Sequence, residues 1–121
     1  MNHPQGPRPS RSFLRHGTLP QLAAFEAVMR LGSVTGAADA LCVAQPTLSG
    51  HLRKLADTLG MQLFTLEGRR MVPTAAARLL LQATQQVFEA LAECEQQVGQ
   101  LHRSQHTREH GSSAACAPPY T

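Results

Sequence analysis

Between Ser33 and Gly60 the chain reads SVTGAADALCVAQPTLSGHLRKLADTLG, and its helix starts and stops leave room for two short helices with a tight turn between them. Ser33 is a good N-cap for a helix from about Val34 to Leu41. Ala37, Ala38 and Leu41 give that helix a small-residue face that lets another helix cross closely. Cys42-Val43-Ala44 makes the turn, with Cys42 expected as a small buried apolar group. The next helix starts at Gln45-Pro46, where proline in the first turn loses no hydrogen bond. Leu48, Leu52, Leu55 and Leu59 step by four, three and four and form a buried stripe. Gln45, Ser49 and Arg53 repeat every four residues on a different face, and Gly60 is placed to stop the helix.

The flanks extend this unit. Leu22, Phe25, Val28 and Met29 share one face of a helix predicted from about Pro20 to Leu31, with Thr18 and Gln21 at capping-box spacing. Downstream, Leu63-Phe64-Thr65-Leu66 and Arg70-Met71-Val72 can pair as a hairpin around Glu67-Gly68-Arg69. A hairpin directly after the second helix of such a pair is a wing. The predicted class is therefore mainly α, a winged helix-turn-helix followed by one long helix.

That last helix, capped by Thr74 and running from about Ala75 to Leu101, carries a different pattern. Ala77, Leu80, Thr84, Val87, Leu91, Cys94, Val98 and Leu101 alternate steps of three and four. This is a heptad seam over more than three heptads, and it predicts a paired helix with Leu80, Thr84, Val87, Leu91, Cys94 and Val98 at a dimer interface. Leu81 and Phe88 lie beside the seam and can pack back on the first helix. The expected organisation is a disordered basic arm at 1–17, the winged module at 18–73, the linker and dimerisation helix at 74–101, and a disordered tail at 102–121.

Charge and composition narrow the function. Residues 1–73 hold eight Lys and Arg against four Asp and Glu, whereas residues 74–121 hold three against four. Positive charge thus accompanies the helix pair, which suits a polyanionic partner. With no Trp and a single Tyr, the chain lacks the aromatic platforms on which single strands stack, so duplex DNA is the expected nucleic acid. Cys42, Cys94 and Cys116 form no CxxC, no apolar run approaches a membrane span, and residues 1–17 hold no apolar signal-peptide core. These features predict a cytoplasmic, nucleoid-associated protein with no membrane partner. His102, His106 and His110 could share a helical face, but a polar run in a tail is the simpler reading; no metal and no cofactor are expected. No nucleophile–base constellation, phosphate-cradling glycine loop or dense acid cluster supports an enzyme. His51, among polar residues, is read as a surface or groove-facing group.

Residues 19–98 resemble the DNA-binding domain and linker helix of LysR-type transcriptional regulators. The resemblance rests on Leu22…Phe25…Val28, Gly32-Ser33-Val34-Thr35, Ala37-Ala38…Leu41, Val43…Gln45-Pro46-Thr47-Leu48-Ser49, Leu52…Leu55, Leu59-Gly60, Leu63-Phe64, Arg69-Arg70 and Pro73-Thr74, in order and without gaps. It implies a dimer held by antiparallel linker helices, with the second helix of the pair in the major groove and the wing near the minor groove. By the same resemblance Gln45, Pro46 and Ser49 are the expected base readers. A glutamine amide can pair with adenine, and a proline offers apolar surface to a thymine methyl. Thr35, Thr47, Arg53, Lys54, Arg69 and Arg70 are expected at phosphates or in the wing. The sequence departs from the family at Gly36 and Gly50, where a basic residue is common, and at Leu66, where an Arg usually follows Leu-Phe-x. Ala56 and Ala77 stand where Glu and Gly are usual. Fewer cations imply a flatter salt dependence. The family's small-molecule-sensing domain has no counterpart in 121 residues, so no effector is expected. The alternative function is that of an interaction protein that heterodimerises with a full-length relative and modulates it.

Overall fold

A computed structural model describes residues 8–11, 13, 14 and 17–105. Four helices and one hairpin follow in order: α1 (Thr18–Leu31), α2 (Val34–Leu41), α3 (Gln45–Leu59), β1 (Phe64–Glu67), β2 (Arg70–Pro73) and α4 (Ala75–Gln105). The expectations at residues 1–7 and for the tail from 106 onward, with His106, His110 and Cys116, lie outside the described residues.

α1 is the centre of the packing. One side of it meets Leu55, Leu63, Ala77 and Leu80 through Leu22 and Phe25. The other side meets Ala37, Ala38 and Leu48 through Ala24, Ala27 and Val28. Three of these contacts are alanines with no exposed surface, which is why α2 and α3 can cross α1 closely. Burying Phe25, Leu48 and Leu55 completely contributes about 1.5–3 kcal/mol for each side chain.

Capping sets the lengths. The Gly36 amide donates to Ser33 Oγ at 2.9 Å, so Ser33 starts α2 as the sequence predicts. Gly60, at φ 70°, ends α3, with its amide on Ala56 O at 2.8 Å and the Met61 amide on the same carbonyl at 3.2 Å. Thr18 is a correction. It lies inside α1, which begins after Gly17, and its hydroxyl donates to Phe13 O at 2.7 Å. Cys42 is a second correction: it is exposed, in the left-handed region at φ 57°, rather than a buried filler. Its conformation turns the chain sharply enough for the Val43 amide to return to Ala38 O at 3.0 Å.

The strands are antiparallel with Phe64 opposite Pro73 and Glu67 opposite Arg70. The loop is therefore Gly68-Arg69, with Gly68 at φ 65°, and Glu67 belongs to the strand rather than to the turn. Phe64, its ring 6.0 Å from Phe25, anchors the hairpin to α1.

Two expected boundaries move. The arm is not disordered throughout, because within it Phe13 packs on the core, with amides of Phe13 and Leu14 bonded to Ser10 O and Arg11 O at 3.0 Å each. The long helix continues past Leu101 to Gln105, so His102 is helical and not part of a tail.

Candidate nucleic-acid interface

α3 has two chemically opposite sides. Leu48 and Leu55 are fully buried and Leu52 is half-buried against α1 and α2. Around the same helix Gln45, Pro46, Thr47, Arg53 and Lys54 are exposed, and Ser49 and Gly50 are half-exposed. The polar face is thus held rigidly by leucines one turn away, which is what positions a side chain against a base edge.

The start of α3 is open. Ala44 provides no side-chain cap, Pro46 stands in the first turn, and no acidic residue lies there. The first amides of the helix therefore have no side-chain acceptor, and their partial positive charge faces the exposed Gln45-Pro46-Thr47 end. A helix start of this kind accepts phosphate oxygens. Thr35 is exposed in the first turn of α2.

Cations frame this face. Arg53 and Lys54 lie two turns along α3, and among the described residues the only salt bridge is Glu26–Arg30, so neither is tied to a carboxylate by one. Arg69 is exposed in the wing loop and Arg70 starts β2 opposite Glu67, which partly offsets its charge. Leu66 points away from the core at 71% exposure near the wing tip. His51 has its pKa lowered from 6.5, first by burial and second by the charge of Lys54. No cluster of three metal-ligating side chains exists among the described residues.

At Gly50 an added Cβ meets nothing within 4 Å. At Gly36 it would meet Ser33 Oγ at 3.5 Å, Ser33 Cβ at 3.6 Å and Leu31 Cβ at 4.0 Å, all ordinary contacts. Packing therefore does not require glycine at either place.

The heptad seam on α4 divides. Leu80 and Thr84 are 7% and 1% exposed, and the Thr84 hydroxyl is satisfied by Leu80 O at 2.8 Å. Both belong to the chain's own core, so they are not an open pairing surface as the sequence pattern suggested. From Val87 onward the seam is uncovered, with Leu91, Cys94, Val98 and Leu101 all exposed. Phe13 and Leu14 were missed by sequence reasoning. Two large apolar residues just before a helix start in a polar stretch are the signal that would have found them.

Known proteins share this arrangement. Residues 19–78 match the family model described as bacterial regulatory helix-turn-helix protein, lysR family. A RuBisCO operon transcriptional regulator from Allochromatium vinosum is 38% identical over 81 residues, 67% of this chain and 27% of that protein. The DNA complex of the BenM DNA-binding domain with catB site 1 superposes with a TM-score of 0.66 at 28% identity, over 75% of this chain and 98% of that one. The complex of the same domain with benA site 1 gives 0.58 at 34% identity, over 70% and 95%. This chain spans 27% to 29% of the length of the curated relatives it matches. Those relatives are transcriptional regulators and not enzymes. With the fold, the polar face of α3 and the sequence match in agreement, the chain belongs to the LysR family of bacterial regulators and carries its winged helix-turn-helix DNA-binding domain.

Proposed function

We propose that this chain is a sequence-specific double-stranded DNA-binding regulator that acts as a dimer through α4. The observation that carries the DNA reading is the division of α3: its leucines are spent in the core, while Gln45, Pro46, Thr47, Arg53 and Lys54 are exposed around the remaining surface. A helix of 15 residues is about 22 Å long, enough to lie across a major groove. Gln45, Pro46 and Ser49 read base edges. Thr35, Thr47, Arg53, Lys54, Arg69 and Arg70 contact phosphates or sit with the wing. The mechanism is positioning, with no bond made or broken. The uncovered seam from Val87 to Leu101 supports the dimer. Two copies place two α3 helices on one side of a site with approximate two-fold symmetry. The same stripe would accept a full-length relative with a matching helix, and subunit exchange with such a protein supports this second reading.

The test is binding to selected duplexes against random duplex over a salt series. Specific binding is expected to be at least tenfold tighter than nonspecific binding, with the gap lost in Gln45→Ala. Equal affinity for all duplexes at low salt sinks the reading.

A further inference from the structure

Successive residues of α3 turn by about 100° around its axis. Leu48, Leu52, Leu55 and Leu59 then centre on one direction, and Gly50 lies about 170° from it. Gly50 and the exposed Asp57 are the residues most directly opposed to the core. Asp57 sits about 10 Å further along the axis, away from the exposed Gln45-Pro46-Thr47 end. The middle of the outward face, beside the proposed base readers, therefore carries no side chain. Glycine is a poor helix former, and no contact within the fold asks for it here.

What a bare position can recognise follows from its chemistry. Its neighbours one turn before and after are Pro46, Thr47, Arg53 and Lys54. A Cβ built at Gly50 meets none of their side chains within 4 Å. Apolar carbons rest about 3.5–4.0 Å apart, so a methyl carbon seats there without displacing anything. The amide and carbonyl of Gly50 lie inside the helix and belong to its own ladder. The position thus offers shape, with no donor or acceptor. Phosphate oxygens and the polar atoms of base edges need one or the other. The apolar feature of the major groove is the thymine 5-methyl group. Pro46, one turn away, adds an apolar wall beside it.

We propose that Gly50 is a specificity-determining residue: the space left by its missing side chain receives the 5-methyl group of a thymine. This rests on the duplex reading above and adds selection by shape to the contacts of Gln45, Pro46 and Ser49. An alanine at this position puts its own methyl where the thymine methyl would lie, so the two exclude each other.

The test moves one methyl group between DNA and protein. A preferred duplex is selected from random sequence with the full chain. Each thymine in it is then replaced in turn by deoxyuridine, which lacks the 5-methyl. At one thymine position the unsubstituted chain is expected to lose about fivefold or more in affinity. Gly50→Ala is expected to bind the thymine duplex about tenfold or more weakly, and to regain about fivefold or more when that same thymine is deoxyuridine. Its affinity for random duplex is expected to stay within about twofold. Unchanged binding of Gly50→Ala to the thymine duplex overturns the proposal. So does an equal loss on both duplexes, which marks a close approach without thymine selection. A selected duplex whose thymines all tolerate deoxyuridine overturns it as well, and this scan needs no variant to fold. If no sequence is preferred over random duplex, the duplex reading itself falls.

Discussion

α3 and the second half of α4 carry the same kind of apolar periodicity and meet opposite fates. On α3 the leucine stripe is covered, Leu48 by α1 and α2 and Leu55 by α1, Leu63 and the start of α4, with both at 0% exposure. On α4 the stripe beyond Thr84 stands in solvent. A repeat of three and four therefore states that a face must be covered, but not by what. The distinction comes from reach: α1 is 14 residues long and covers α4 only near its start.

The largest expected effect tests that contrast directly. Leu55→Ala should cost about 2–5 kcal/mol of unfolding free energy, independent of protein concentration. Val98→Ala should leave dilute-limit stability within about 0.5 kcal/mol and lose only the concentration-dependent part. Chemical denaturation at several concentrations checks both. Equal costs at high dilution would break the comparison, because α4 would then be stabilised within its own chain.

On the exposed side of α3, Gln45→Ala should cost about 1–3 kcal/mol on a specific duplex and almost nothing on random DNA. A uniform loss on both would make Gln45 a backbone contact. Smaller still, Gly50→Ala should stabilise the fold by about 1 kcal/mol, since an added Cβ meets nothing. Gly50→Lys should steepen the salt dependence of DNA binding by about one counterion. If neither changes, the Gly50 face is turned from the DNA and helix propensity is masked.

The smallest effect concerns His51. Its folded pKa lies below its unfolded value, so the unfolded chain binds the proton more readily. The contribution to stability is full above about pH 6.5 and declines as pH falls through the folded pKa. His51→Gln should flatten that slope in thermal melts between pH 7 and 5. An unchanged slope assigns it to other groups.

Much of this was legible in the sequence. Ser33, Pro46 and Gly60 mark helix ends through local backbone chemistry, and α2 and α3 fall at the predicted bounds. What escaped depends on neighbours distant in sequence. Thr18 has capping spacing, yet its hydroxyl is used by Phe13 O, which no spacing rule shows. Leu80 and Thr84 obey the heptad as well as Leu91 does, and only the position of α1 removes them from the open surface. The polar residues of α3 were legible because two helices leave only one side free. What those residues would touch on DNA is implied by the family resemblance alone and not by packing.

Thr74 links the hairpin to α4. Its amide donates to Leu63 O at 2.9 Å, its hydroxyl donates to Gln62 O at 2.8 Å, and the same oxygen accepts from the Ala77 amide at 3.2 Å. Arg78 adds a bond to Pro73 O at 3.3 Å. The hairpin base and the helix start therefore move as one body, like a blade fixed to its shaft. Rotating α4 about its axis by a few degrees swings the Gly68-Arg69 tip sideways by an amount set by the length of the hairpin. In a two-copy assembly the angle at which the shafts cross would set how far apart the two blades land.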